Sequence, residues 1–265
     1  MINMDKEIGW LLKEKYLGKL TEQFKKDVER LKKGEPVGYV IGFAEFLGCK
    51  IDLSKNPLIP RPETEFWVGK VIEKLKIVNS LKIVNCKLKI RCLDIFAGSG
   101  CIGIAVLVHV PNLLLAHRSL GEVGCDFTDI DENNLSQIKV NCKINGIDSK
   151  KYRVIQSDVF LNIIGKYDYI FANPPYIPTK NKNKIQRSVL KYEPGKALFG
   201  GADGLFYVKK LLKDAKSHLN PEGRIYMEFD PPQKKELEKL IKKYSYKSYK
   251  FYRDQYGRCR WVMIK

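Results

Sequence analysis

A chain of 265 residues with 44% hydrophobic content can bury a substantial core, enough for one large domain or a core domain with a small appendage. Its longest apolar runs, such as residues 102–110, are too short to span a bilayer and no signal pattern opens it, so neither a membrane nor a secreted protein is expected. The formal net charge of +18 rests on 38 lysines against 10 arginines; phosphate recognition favours arginine, so solvated faces are the bland reading and an RNA-associated or ribosomal partner the sharp one.

Residues 4–33 read as helical, with Ile8, Leu11, Leu12, Tyr16 and Leu20, then Phe24, Val28 and Leu31, at helical spacing. Gly34 and Pro36 close this stretch, leaving residues 1–35 as a short helical appendage too small to fold alone. Residues 36–60 are rich in strand formers broken by Gly38, Gly42 and Gly48, which predicts a β-hairpin connector. Residues 61–265 form the main domain. Pro60 and Pro62 end the extended segment, and Glu63 and Glu65 suit the first turn of a helix running through Leu75. Residues 76–89 read as a lysine-rich linker.

From residue 90 strands and helices alternate, the pattern of a doubly wound parallel sheet. Strands are expected at 90–95, up to 129, at 153–158, 167–172 and 224–229, with helices at 101–110, 133–145, 204–219 and 234–244 between and after them. Residues 177–201 read as a loop, and 248–253 with 260–264 as a final antiparallel hairpin. Residues 112–124 make one connection long, either as an insertion or as a shifted strand. The seven cysteines are scattered, odd in number and free of CxxC pairs, so no metal or disulfide framework is expected and a reducing cytoplasm is the simpler setting.

The chemistry gathers at predicted strand ends, where open α/β sheets bind ligands. Asp94 leads into a small-residue loop of Phe96, Ala97, Gly98, Ser99 and Gly100, whose glycines let the backbone approach a ligand. Asp129 ends the second strand and can accept from both ribose hydroxyls, with Asp126 and Asp131 as competitors for that role; Asp158 ends the third, where it can meet an adenine amino group. The absence of GxGxxG and of a base for a pyrophosphate favours a nucleoside with a neutral or cationic tail, such as S-adenosylmethionine. The fourth strand stops at Asn173, Pro174, Pro175 and Tyr176, because proline cannot continue a ladder. An Asn amide and a proline-flanked carbonyl can grip both N–H bonds of a planar NH₂ group, and Tyr176 can stack on it. Such orientation is worth about 7–11 kcal/mol of barrier in well-aligned cases.

The motifs PVGYVIGFAEFLG (36–48), LIPRPETE (58–65), DIFAGSGCIGIA (94–105), DIDENNL (129–135), QSDVF (156–160), FANPPYIP (171–178), YEPGKALFGGADGL (192–205) and YGRCRWV (256–262) resemble those of the peptide chain release factor N5-glutamine methyltransferases. The resemblance implies a class I S-adenosylmethionine-dependent methyltransferase fold. That fold is Rossmann-like, with a seven-stranded, mostly parallel sheet ending in an antiparallel hairpin, plus the helical appendage as a substrate-docking element. It implies methyl transfer from S-adenosyl-L-methionine to the glutamine amide in the Gly-Gly-Gln loop of release factors, by direct displacement, with no metal. The cofactor would lie on residues 96–100, Asp129, Asp158 and Val159, and the substrate amide on Asn173, Pro174, Pro175 and Tyr176 as the catalytic stretch. Phe96 stands where many relatives carry glycine, and the appendage is about half the usual length. Rival readings are a ribosomal-protein glutamine methyltransferase, an N6-adenine or N2-guanine nucleic-acid methyltransferase, and a cofactor-binding protein without transferase activity. No membrane and no obligatory nucleic acid are expected as partners.

Overall fold

The computed structural model describes residues 4–82, 89–110, 113–115, 118–120 and 122–265. Helices α1 (Met4–Glu14) and α2 (Glu22–Lys32) open it, with Thr21 capping α2 by accepting from the Phe24 N–H. Leu11, Phe24 and Leu31 bury their shared face together with Val40. Beneath them Asp27 is sealed from water, accepting from Lys15 and the Tyr16 hydroxyl at 2.7 Å and from Arg30 at 2.9 Å. A carboxylate survives burial only with such partners.

The hairpin reading of residues 36–60 needs a correction at its start. Val37–Ile41 forms a one-turn helix, α3, with Pro36 at its N-cap and Gly42 ending it at a left-handed φ of 100°. Tertiary burial overrides strand propensity here: Tyr39 and Val40 drop into two different hydrophobic clusters. The antiparallel pair β1 (Phe43–Phe46) and β2 (Cys49–Asp52) follows. Helix α4 (Pro62–Lys82) runs through half of the stretch read as a linker, and residues 83–88 of that stretch lie outside the described residues.

The main sheet is built from β3 (Lys89–Ile95), β6 (Glu122–Asp129), β7 (Tyr152–Gln156), β8 (Tyr167–Ala172), β9 (Leu219–Glu228), β10 (Tyr249–Arg253) and β11 (Cys259–Ile264), in the order β10-β11-β9-β8-β3-β6-β7. Strands β9, β8, β3, β6 and β7 run parallel, and β11 is antiparallel to both neighbours. Helix α5 (Cys101–His109) joins β3 to β6, and α6 (Glu132–Ile144) joins β6 to β7. Between α5 and β6 the long connection holds a separate two-stranded ladder, β4 (Leu113–Leu115) with β5 (Arg118–Leu120). The stretch read as a loop at 177–201 holds a 3₁₀ turn at Thr179–Lys184, α7 (Arg187–Tyr192) and α8 (Gly195–Leu198). Helices α9 (Phe206–Asp214) and α10 (Lys234–Lys243) flank β9 in sequence.

One core packs α4, α5 and α6 on one sheet face, through Trp67, Val68, Ile104 and Ile138; the other packs α9 and α10 through Val208, Leu211, Leu237 and Ile241. Gly103 lets α5 ride close on β6, since a Cβ there would lie 2.4 Å from the Phe127 ring. The chain runs outward from β3 to β7, then returns to β8 on the other side of β3. That reversal opens a crevice between the carboxyl ends of β3 and β8. Among the described residues no helix is long and apolar enough to cross a membrane.

Candidate active site

The parallel register sets Ile95 against Ala172, so the loop leaving β3 and the Asn-Pro-Pro-Tyr stretch leaving β8 start side by side. A cavity of about 270 Å³ lies there. Phe96, Ala97, Gly98 and Ser99 line it, with Asp129, Asp158, Val159, Asn173 and Pro175. Gly100, Pro174 and Tyr176 are not in its wall. Gly100 is the N-cap of α5 at φ 79°, where a Cβ would come within 3.0 Å of Ile138. Two residues of the wall, Phe96 and Val159, hold left-handed backbone at φ 61° and 56°. For a β-branched valine this is strained, and such strain persists only where packing over-determines it.

The acids separate by role. Asp129 Oδ2 accepts from Gly98 N–H at 2.8 Å and Oδ1 from Asp131 N–H at 2.9 Å. The Asn134 side chain donates to the same carboxylate, whose roughly four lone-pair sites then leave room for a ligand hydroxyl. Burial raises the Asp129 carboxyl against these donors and the Asn134 side chain. Asp131 caps α6 through Asn133 N–H and also lines the cavity. Asp126 sits three residues short of the strand end, bound by Arg153 at 2.8 and 2.5 Å and by the Tyr167 hydroxyl at 2.7 Å. It is committed to that cluster and is absent from the cavity wall. Asp94 is wholly buried and accepts from Gly103 N–H at 2.9 Å, capping α5 rather than facing a ligand; burial pushes its carboxyl up to about 8. Asp158 lies two residues beyond β7 and is held by Lys210 at 2.6 Å.

Asn173 donates through Nδ2 to Thr64 Oγ1 at 3.3 Å, and its Oδ1 has no protein donor among the described residues. Thr64 in turn donates to Glu228 at 2.6 Å. Glu228, at the end of β9 and 1% exposed, also accepts from Trp67 Nε1 at 2.9 Å and from the Tyr176 hydroxyl at 3.0 Å. Burial and the Glu228 charge raise the Tyr176 phenol well above its ordinary range. The tyrosine expected to stack on substrate is thus tethered from behind.

Two further stretches add to the wall. Leu58, Ile59, Pro60, Arg61 and Thr64 come from LIPRPETE, and Pro194, Lys196 and Ala197 from YEPGKALFGG. Arg61 Nη2 joins them, donating to both oxygens of buried Glu193 at 2.7 and 2.8 Å. The glycines that follow make room for the Asn-Pro-Pro-Tyr backbone. A Cβ on Gly200 would lie 2.3 Å from the Pro175 carbonyl oxygen, and one on Gly204 2.2 Å from that of Tyr176. Gln233 Nε2 donates to the same Tyr176 carbonyl at 2.9 Å. Asn141 carries the loop after β3 from below, donating to the Ser99 carbonyl at 2.9 Å while accepting from Asp52 N–H at 2.8 Å. Six free cysteines are described, and among the described residues no group of three metal-ligating side chains is found.

A family model described as a methyltransferase small domain matches residues 78–193. The chain is 31% identical over 238 residues to a release factor glutamine methyltransferase of Flavobacterium psychrophilum, covering 89% of this chain and 77% of that one. A protein of the same name from Lactococcus lactis is 30% identical over 262 residues, covering 98% and 88%. Among solved structures, the N-terminal domain of human METTL16 in complex with SAH matches with a TM-score of 0.54 at 16% identity. It covers 82% of this chain and 75% of that one, a likeness of fold.

Proposed function

Because the chain belongs to the family of release factor glutamine methyltransferases, we propose that it methylates the side-chain amide nitrogen of the glutamine in the Gly-Gly-Gln loop of a release factor. S-adenosylmethionine, when bound, supplies a methyl group on a positively charged sulfonium. The residues fit it: Asp129 keeps acceptor capacity for a ribose hydroxyl, and Val159 and Phe96 offer apolar wall. Asp129 and Asp131 on the wall favour a cation in the cavity, while Asp158 is already paired with Lys210.

The observation that carries the reading is Asn173. Its NH₂ end is turned to Thr64 by one N–H bond, which turns the Oδ1 end to the cavity as an acceptor. With the neighbouring proline carbonyl it accepts both N–H bonds of a primary amide, fixing the plane of the glutamine side chain and presenting a face of its nitrogen. Transfer replaces one N–H by N–CH₃ and releases that proton. The helical pair α1–α2 serves to dock the protein substrate. Trp10, Leu17 and Leu20 support this, standing 46%, 81% and 72% exposed at its surface. The free thiols suit the reducing cytoplasm as the setting.

The test supplies methyl-labelled S-adenosylmethionine to release factor, its Gln→Ala loop variant, ribosomal protein and RNA in parallel. Label is expected on intact release factor alone. Label on RNA, or equal label on the Gln→Ala variant, overturns the reading.

A further inference from the structure

We infer that Glu228 is a positioning residue which, through Thr64, dictates which end of the Asn173 amide faces the cavity. The inference rests on the function proposed above and deepens it. The argument is one of donors and acceptors. The Trp67 indole and the Tyr176 hydroxyl both donate to Glu228, which makes it the acceptor of this cluster, and the Thr64 hydroxyl spends its single proton on Oε2, 2.6 Å away. The Thr64 oxygen then has only lone pairs left, and its remaining polar neighbour must donate. Asn173 meets that demand with Nδ2 at 3.3 Å, which leaves Oδ1 as the end turned to the ligand. The opposite flip would aim an NH₂ group at a substrate NH₂ group, donor against donor, and lose the grip that orients the amide.

The fold holds this polarity from several sides. Glu228 pairs with Trp261 across the antiparallel ladder, and Met227 pairs with Ala172, so the carboxylate sits level with the end of β8. Trp67 can only donate, and it shares Oε2 with Thr64 at 2.9 Å. Tyr176 donates to Oε1 at 3.0 Å, so the same carboxylate also ties the far end of the Asn-Pro-Pro-Tyr stretch. Thr64 is 2% exposed and Glu228 1%, so water does not scramble the relay. Glu228 is absent from the cavity wall and acts through its neighbours.

Thr64→Val keeps the shape of the side chain and removes the hydroxyl, which frees the Asn173 amide to flip. Its kcat for release factor is expected to fall at least tenfold, with the cofactor Kd within twofold of wild type and Tm lowered by only a few degrees, since Glu228 keeps the Trp67 and Tyr176 donors. Thr64→Ser restores the hydroxyl and should restore kcat. In Glu228→Gln the indole of Trp67 holds the new carbonyl oxygen on the Thr64 side, so kcat is expected to stay within about threefold. Glu228→Leu offers no acceptor and should lose kcat as Thr64→Val does. An arm without release factor reads the Asn173 side-chain NH₂ resonances of the full chain by ¹H–¹⁵N NMR, assigned by their loss in Asn173→Ala. Their exchange with solvent is expected to be at least tenfold faster in Thr64→Val than in wild type or Glu228→Gln. Unchanged kcat or unchanged exchange in Thr64→Val overturns the relay. A wild-type protein that leaves release factor unlabelled overturns the proposed substrate, and the NMR arm still decides the relay.

Discussion

Asp129 accepts from Gly98, Asp131 and the Asn134 side chain and retains acceptor capacity for a ligand hydroxyl, whereas Asn173 donates to Thr64 and turns its Oδ1 to the cavity. The first arrangement suits a resting diol and the second a reacting amide, so the two side chains should fail in different ways. Removing a charged hydrogen-bond partner costs roughly 1.5–3 kcal/mol, and about 1.4 kcal/mol is tenfold in affinity. Asp129→Ala is therefore expected to weaken cofactor binding tenfold or more while leaving kcat at saturating cofactor within a few-fold. Asn173→Ala should show the converse, with kcat falling by orders of magnitude and cofactor affinity held. Calorimetric titration of the cofactor beside steady-state kinetics separates them. A large loss of cofactor affinity in Asn173→Ala would reassign that residue.

The strand end that carries Asn173 is only as well placed as the loop that braces it. Gly204 at φ 76° lies against the Tyr176 carbonyl, while Gly34 at φ 84° has open space where a Cβ would stand. Gly34→Ala thus reports backbone strain alone, about 1–2 kcal/mol for an L residue in this region. Gly204→Ala adds an overpacking cost of about 1–3 kcal/mol and pushes on the catalytic stretch. It should lower the urea midpoint more than Gly34→Ala and lower kcat as well; equal midpoints would deny the contact. Parts of this were legible in the chain. Residues 167–172 read as a strand because an apolar, aromatic, β-branched run met two prolines, and that reading needs only neighbours in sequence. The short helix Val37–Ile41 was hidden, because what decides it is burial of Tyr39 and Val40 against distant elements. Thr64 and Glu228 were hidden for the same reason. The bond between them spans 164 positions of sequence, and a lone Glu after an apolar strand carries no local sign of a partner. The role of Asp94 was not legible either, because a strand-end acid looks alike whether it faces a ligand or caps the next helix.

At the scale of the molecule, the lysine ion pairs of the described residues are mostly exposed, and several join acids one helical turn away, as in Lys25 with Glu22, Lys32 with Glu29 and Lys239 with Glu236. Pairs of this kind are worth only about 0–1 kcal/mol and are screened by salt. Asp27 is the exception, since its side chain is fully buried between the helices proposed to dock the substrate. Burial by itself would raise its pKa, yet hydrogen bonds from Lys15, Tyr16 and Arg30 prevail and hold it at about 2, below the ordinary 3.8. A folded-state pKa below the unfolded one means stabilisation that is complete above the unfolded value and fades as pH falls from about 4 toward 2. Acidification should therefore release α1 and α2, read as faster amide hydrogen exchange over residues 4–32 than over the buried strands β3 and β8. Asp27→Asn should abolish that added sensitivity between pH 4 and 2 and lower protection of the same helices at pH 7. If these helices dock the release factor, the variant also raises KM for that substrate at pH 7 while cofactor affinity stays put. Unchanged exchange at pH 7 would show that the buried carboxylate does not hold the helical pair. Changed exchange with unchanged KM would leave the pair stabilised by Asp27 but remove it from substrate docking.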